Sequence, residues 1–305
     1  MLEGKPSVIN QVISLEPFLN TNCKLVIKRE DLIHPYISGN KYRKLKYNLI
    51  NAKKEGFNTL LTFGGAYSNH IAAVASVGKE FGFNTIGVIR GEELIDKVEL
   101  NATLLFAKKC GMKFLFISRK DYQLKTEKAF IDILKTKFGK FYLIPEGGTN
   151  QLAIKGCSEI LKKEDLNYDF ICASVGTGGT LAGLIKSSKN SQNVIGFSAL
   201  KGTFQLSEIN KYTHKSNFKL LDDYCFGGYA KVNTQLINFM NSFKEVTAIP
   251  LDPIYTGKMM FGIIELIKKG LIKEKSSILC IHTGGLQGIV GMNNILKKKN
   301  LPLIK

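Results

Sequence analysis

Lys41 stands directly after a Gly-Asn pair in SGNKYRKLKYNL, Ser38 to Leu49, and Lys44 follows about one helical turn later. An amine at such a position is a candidate nucleophile toward a carbonyl. In a chain with 43 lysines and arginines it is equally an ordinary solvated charge. The company it keeps separates the two readings. Three other stretches, TFGGAYSNHIAAVAS, ASVGTGGTLAGL and CIHTGGLQGIVG, pass from an apolar run through Gly, Ser, Thr and Asn into a helical pattern. Such turns expose backbone N–H groups at the positive end of a helix, which suits an anion.

The elements that must position these residues follow from the hydrophobic pattern. KLVIK, TLLTF, TIGVI, KFLFI, FYLI, DFICASV, NVIGFSA and SILCIH read as strands. Segments with helical spacing lie between most of them, such as 44–54, 71–81 and 98–110. Strand–helix alternation predicts an α/β fold with open, twisted, mostly parallel sheets flanked by helices. Sites in such sheets form where strands end and loops lead into helices. No internal repeat, low-complexity linker or Pro-rich hinge marks a domain boundary.

The totals bound the rest. The chain has 305 residues, of which 44% are hydrophobic, with 29 glycines and 7 prolines. That is a globular composition with room for two medium domains. No window approaches the ~18 consecutive apolar residues of a membrane span. The N-terminal MLEGKPSVINQVISLEP has no basic start, apolar run or small-residue cleavage site, so neither a secretory signal nor a membrane is expected. The net charge of +18 raises nucleic-acid binding, but the lysines are spread over polar helix faces without interleaved aromatics. No nucleic acid is expected. The six cysteines include no C-x-x-C pair, and Cys172 and Cys280 lie inside apolar runs. Buried free thiols in the cytoplasm fit this pattern, and no metal site is expected.

The anion can be narrowed. GTGGTLAG, Gly176 to Gly183, lacks the Lys-Ser/Thr pair of a nucleotide-binding P-loop, and Leu181 breaks the G-x-G-x-x-G spacing. The next strand, NVIGFSAL, ends without an acidic residue to hold a ribose hydroxyl. What remains is a cradle of Thr177, Gly178, Gly179 and Thr180, able to hold one phosphomonoester. A compact phosphate site beside a candidate amine suggests pyridoxal phosphate, with Lys41 as its Schiff-base lysine and Lys44 as a point charge at its phosphate.

KREDL, SGNKYRKLKY, GGAYSNH, VGTGGT and LDPIYTGKMMFG, in that order between about Lys28 and Gly291, resemble the D-cysteine desulfhydrase and 1-aminocyclopropane-1-carboxylate (ACC) deaminase family. Its members are pyridoxal-phosphate enzymes of the tryptophan-synthase-β-like fold. The resemblance implies two domains with the cofactor in the cleft between them. Residues 46–146 would form the smaller domain, and 1–45 with 147–305 the larger, cofactor-binding one. It also implies a homodimer and a small amino-acid substrate. Residue by residue, Lys41 matches the Schiff-base lysine and Lys44 a phosphate contact. Asn69 matches the partner of the cofactor's phenolic oxygen, and Ser68 a holder of the substrate carboxylate. Thr177, Gly178, Gly179 and Thr180 match the phosphate cradle. Tyr229 and Tyr255 match two tyrosines that bracket substrate and ring. One departure is visible: Tyr67 stands where these enzymes often carry glutamine.

ACC deaminases carry glutamate after the active-site tyrosine and leucine in the last glycine-rich loop. Here the positions are Thr256 and Thr283, as in the desulfhydrase-like members. A hydroxyl can hydrogen-bond a ring nitrogen without holding a full proton there, and the weaker electron sink suffices for β-elimination of a good leaving group. The expected activity is release of pyruvate, hydrogen sulfide and ammonia from D-cysteine. ACC deamination to 2-oxobutyrate, another lyase activity on D-serine or β-chloroalanine-like substrates, and a non-catalytic cofactor-binding protein are the alternatives.

Other residues carry plainer expectations. His70 is read as a packing or local hydrogen-bonding residue, and His282 as a satisfied core histidine or a contact behind the site. His34 and His214 are read as surface residues. Arg43 and Asp31 are read as structural, Glu146 as a cap or ion-pair partner at the site's mouth, and Asp252-Pro253 as a helix start.

Overall fold

The structure, a computed structural model, describes residues 6–305. The first five residues of the N-terminal stretch lie outside the described residues. Ten strands form two sheets. The larger has the order β1-β2-β10-β7-β8-β9, from strands Asn10–Ile13 (β1), Lys24–Lys28 (β2), Phe170–Val175 (β7), Asn193–Ser198 (β8), Phe218–Leu221 (β9) and Ser277–Ile281 (β10). Only β1 is antiparallel to its neighbour. The smaller sheet is all parallel, in the order β5-β4-β3-β6, from Thr59–Gly64 (β3), Asn84–Arg90 (β4), Lys113–Ile117 (β5) and Tyr142–Ile144 (β6).

All eight expected runs are strands; the central ones are buried on both faces and read as continuous apolar stretches, while β5 and β6, the edges of the smaller sheet, are only partly buried yet keep apolar runs. β7 and β10 are buried along nearly their whole length. The two unexpected strands, NQVI and FKLL, are the edges of the larger sheet. An edge strand is partly solvated, so its apolar run is short or interrupted.

The helices are Asn40–Lys54 (α1), Asn69–Phe81 (α2), Ala102–Lys109 (α3), Lys128–Phe138 (α4), Gln151–Ser158 (α5), Gly179–Ser187 (α6), Gln205–Asn210 (α7), Thr234–Thr247 (α8), Thr256–Lys268 (α9) and Gly288–Lys298 (α10). The helix expected over 98–110 is divided. A 3₁₀ segment covers Glu92–Leu100, and Asn101 then caps α3 by accepting the N–H groups of Thr103 and Leu104, both at 3.0 Å. An asparagine cap competes with helix continuation, and the apolar periodicity alone does not register it.

One apolar cluster joins α8 and α9 to a face of the larger sheet, through residues such as Ile27, Cys280, Phe243 and Ile263. A second joins α5 and α6 to the other face, through Ile171, Leu279, Cys157 and Leu184. Two more lie about the smaller sheet. α1 runs without a break across position 45/46, and a buried bidentate pair anchors it: Arg43 donates to both Glu30 carboxylate oxygens at 2.8 and 2.7 Å. Arg43 and Asp31, the latter paired with Arg29 at 2.9 and 2.7 Å, are thus structural, as expected. No helix among the described residues is long and apolar enough to cross a membrane.

Candidate active site

Lys41 and Lys44 lie in the first turns of α1, on the side facing the loop after β6. The helix starts where it does because Gly39 has a positive φ of 59° and lies against the Thr283 carbonyl. The Asn40 N–H bonds that carbonyl at 3.3 Å. Lys41 Nζ donates to the Gly147 carbonyl at 3.1 Å. Lys44 Nζ donates to the same carbonyl at 3.0 Å, to Thr149 Oγ1 at 3.0 Å and to Thr177 Oγ1 at 3.3 Å. All of these acceptors are neutral. The Lys41 side chain keeps a partly open face, yet it is enclosed by enough protein that burial, and next the charge of Lys44, push its amine well below the ordinary lysine value. Burial also lowers Lys44. A depressed amine supplies the neutral form that attacks a carbonyl.

Beside these amines the loop after β7 opens into α6. Thr177 and Thr149 share a hydroxyl–hydroxyl bond of 2.6 Å. Gly179 is the first residue of α6, and a Cβ there would stand 2.7 Å from Thr149 Oγ1 and 3.2 Å from Lys44 Nζ. Thr180 Oγ1 accepts from Asn40 Nδ2 at 2.8 Å, which ties this helix start to α1. No side chain caps α6. An uncapped helix N-terminus, two threonine hydroxyls and an enclosed lysine bound only to neutral acceptors form a site for a phosphate dianion. The residues present therefore fit pyridoxal phosphate: Thr177–Thr180 and Lys44 for its phosphate, Lys41 for its aldehyde.

Ser68 and Asn69 start α2 at the end of β3, and Ser68 Oγ accepts the Ile71 N–H at 3.3 Å. Asn69 Oδ1 accepts from Gln287, which joins this loop to the last glycine-rich one. Tyr67 makes a second junction: its ring covers Gly291 of α10 so closely that a Cβ there would stand 2.6 Å from it. The departure at position 67 is thus matched by the absence of a side chain at 291. His70 is buried, and its Nε2 bonds Thr62 Oγ1 at 2.8 Å. That hydroxyl in turn donates to the Ile144 carbonyl at 2.8 Å. Burial, then the charges of Lys41 and Lys44, hold His70 well below its ordinary value, so it is neutral and structural, as expected.

Tyr255 and Tyr229 meet edge to face, with centroids 6.3 Å apart at 65°. The Tyr255 ring lies against Gly176 of the β7–α6 loop, which puts the tyrosine pair beside the phosphate cradle. Burial raises both phenols, Tyr255 most, so each keeps its proton at neutral pH. Glu146 accepts from Tyr122 Oη at 2.8 Å and pairs with Lys125 at 3.4 Å, the ion-pair role expected for it.

The two threonines expected near a ring nitrogen differ. The Thr256 hydroxyl donates to Asp252 Oδ1 at 3.0 Å and accepts the Asp252 N–H at 2.8 Å. Asp252 is also the expected cap, accepting N–H groups from Ile254, Tyr255 and Thr256 at 2.7–3.2 Å. The Thr256 proton is therefore committed to the helix start. Thr283 Oγ1 shares a 3.1 Å bond with Ser174 Oγ, in which either hydroxyl can donate. Of the pair, Thr283 keeps a proton free when Ser174 donates. His282 Nε2 bonds the Pro250 carbonyl at 2.7 Å and its Nδ1 accepts the Gly284 N–H at 3.2 Å, a satisfied core histidine.

Thr149 and the Gly147 carbonyl are site components that the motif reading passed over. PEGGTN is a fourth glycine-rich junction after a strand, and that is the signal that marks them.

Residues 9–284 match the family described as pyridoxal-phosphate dependent enzyme. A Pyrococcus abyssi protein named "Putative 1-aminocyclopropane-1-carboxylate deaminase" is 33% identical over 286 residues, covering 86% of this chain and 84% of that protein. The Arabidopsis thaliana bifunctional D-cysteine desulfhydrase/1-aminocyclopropane-1-carboxylate deaminase is 30% identical, over 90% of this chain and 75% of that one. The crystal structure of an ACC deaminase homologue superposes with a TM-score of 0.83 at 28% identity, covering 96% of this chain and 93% of that chain. The match over most of the chain and the shared fold show that the chain belongs to the pyridoxal-phosphate-dependent enzymes of the tryptophan-synthase-β-like fold, within the D-cysteine desulfhydrase and ACC deaminase family.

Proposed function

We propose that the chain is a β-elimination lyase of the D-cysteine desulfhydrase type, releasing pyruvate, hydrogen sulfide and ammonia. Bound pyridoxal phosphate supplies a ring that accepts the electron pair freed at the substrate α-carbon. Lys41 would hold the cofactor at rest, and its free Nζ would take the substrate α-proton. Lys44 and the Thr177–Thr180 turn orient the phosphate. Ser68 at the start of α2 would bind the substrate carboxylate, and Asn69 would hold the cofactor's phenolic oxygen. Tyr229 and Tyr255, both protonated, bracket the substrate and exclude water. Thr283 donates to the ring nitrogen.

The observation that carries elimination over ring opening is the pair Thr256 and Thr283. Neither is a carboxylate, and the Thr256 hydroxyl is engaged with Asp252. A ring nitrogen partnered by hydroxyls is a modest electron sink, adequate when hydrosulfide leaves readily from Cβ. ACC deamination is the second reading, favoured by the names of the relatives, several of which are called ACC deaminase. Assembly as a homodimer in the cytoplasm belongs to the proposal, and light scattering tests the assembly.

The deciding experiment compares pyruvate and sulfide release from D-cysteine with 2-oxobutyrate release from ACC, using cofactor-saturated protein. L-Cysteine and D-serine run alongside. D-Cysteine turnover at least tenfold above ACC turnover is expected. Turnover of ACC with none of D-cysteine overturns the reading.

A further inference from the structure

The stretch LDPIYTGKMMFG holds a third enclosed lysine that the chemistry above does not use. Lys258 lies in the first turn of α9 and is 1% exposed. Its Nζ donates to the carbonyls of Cys225 and Gly228, each at 2.7 Å, and forms no ion pair among the described residues. Those carbonyls belong to the loop CFGGYAK, Cys225 to Lys231, whose backbone is unusual. Phe226 and Ala230 adopt positive φ, 53° and 56°, although neither is glycine. Side-chain-bearing residues hold that conformation only where surrounding contacts over-determine it. Turn bonds within the loop, Gly228 N–H to the Cys225 carbonyl and Lys231 N–H to the Gly228 carbonyl, are joined here by two contacts from α9: Lys258 binds the same carbonyls, and Phe261 packs edge-on against Phe226 at 5.0 Å. The next residue of the loop after Gly228 is Tyr229, which meets Tyr255 just before α9.

We propose that Lys258 is a positioning residue: its two bonds tie the Cys225–Gly228 turn to α9 and so set Tyr229 against Tyr255 at the mouth of the site. The proposal rests on Tyr229 facing the substrate, as argued above. A lysine suits the task because one Nζ reaches the second lone pair of two turn carbonyls, which already accept the Gly228 and Lys231 N–H groups at 3.0 and 3.2 Å, and so ties both turns to α9. The groups facing it, the Cys225 thiol and the Asp252 carboxylate, favour its charge, while burial opposes it more strongly and brings the amine to about 8. Above that pH the tether loses the charge-assisted part of both bonds.

Hydrogen exchange followed by mass spectrometry on the full-length, cofactor-loaded protein tests the tether without turnover. Lys258→Met should raise exchange at 226–231 at least tenfold while leaving residues 262–268 of α9 and the cofactor absorbance unchanged. In the unaltered protein, protection of 226–231 relative to α9 should fall between pH 7 and 9, an arm that holds even if the variant folds poorly. A kinetic cycle reports the coupling. Lys258→Met and Tyr229→Phe should each raise KM for D-cysteine more than they lower kcat, and the double variant should be no worse than the poorer single one. Unchanged exchange at 226–231, or losses that multiply in the double variant, overturns the proposal. If the protein acts on ACC and not on D-cysteine, the desulfhydrase reading fails alone, and the same cycle run with ACC still judges Lys258.

Discussion

Lys41 and Lys44 donate to one acceptor, the Gly147 carbonyl, at 3.1 and 3.0 Å. Two ammonium groups on one neutral oxygen repel each other, and both are enclosed. Burial lowers both amines from the ordinary lysine value, and the charge of Lys44 lowers Lys41 further. That arrangement costs the cofactor-free protein stability and is relieved by an anion or by loss of a proton.

Stability of the cofactor-free protein should consequently rise with pH. The folded state releases these lysine protons below 10.5, the unfolded value. Between the depressed folded values and 10.5 the unfolded chain binds more protons, so raising pH favours folding. Tyr229 and Tyr255, whose phenols are raised, work in the opposite sense, but only near and above pH 10, where an unfolded phenol ionises. Urea midpoints in phosphate-free buffer should be higher at pH 9 than at pH 7, with a smaller difference in Lys41→Met. Inorganic phosphate should stabilise more at pH 7 than at pH 9, because a larger share of the amines is protonated at the lower pH. A midpoint that falls from pH 7 to 9 contradicts the assignment.

Lys44→Met should weaken cofactor binding rather than abolish it. The change removes one charge-assisted phosphate contact, worth about 1.5–3 kcal/mol, or roughly 10- to 150-fold in Kd. Lys41→Ala should instead eliminate the absorbance of lysine-linked cofactor, borohydride labelling at residue 41, and turnover. Equilibrium titration with pyridoxal phosphate distinguishes the two variants. Equal losses in both would remove the division of labour between them.

Thr256 and Thr283 should fail differently. Thr256→Val deletes two bonds to Asp252 at the start of α9, so its main effect should be on stability, about 1–2 kcal/mol by analogy with lost helix caps. Thr283→Val removes a hydroxyl whose proton is free when Ser174 donates, so its main effect should be on kcat and on the pH dependence of the cofactor's absorbance. Thermal melts and spectral titration measure the two separately. A spectral shift confined to Thr256→Val would reverse the roles.

Much of this site was legible because it is local. Lys41 and Lys44 share a helix, Thr177 to Thr180 share a turn, and the central strands read as unbroken apolar runs. What escaped is non-local or competitive. Thr149 meets Lys44 across 105 residues, and no spacing within either segment encodes the contact. Asn101 divides a helix because its side chain captures two N–H groups, which hydrophobic periodicity does not weigh. The β1 and β9 edges lack the long apolar run of a buried strand. The commitment of the Thr256 proton depends on where Asp252 turns its carboxylate, and Lys258 looks like any helical lysine until its loop partners are placed beside it.

Gly39 carries the most exacting fit around Lys41. A Cβ at this position would stand 2.0 Å from the Thr283 oxygen and 2.2 Å from its carbon, both backbone atoms that cannot rotate away. Gly39→Ala must therefore push α1 from the last glycine-rich loop, breaking the Asn40 N–H bond to Thr283 and moving the Lys41 amine. Gly56 provides the control, since it has a φ of 70° and an added methyl group there would meet nothing within 4 Å. Gly56→Ala should cost only the left-handed backbone penalty, about 1–2 kcal/mol, and leave cofactor binding intact. Gly39→Ala combines the collision with a backbone at φ 59° and ψ −136°, outside the left-handed helical region that alanine can reach, so it should lower Tm further and abolish the lysine-linked absorbance. Melting curves and absorbance spectra of the two variants decide it. Equal melting losses with cofactor retained in both would mean that the start of α1 is not held against Thr283 as described.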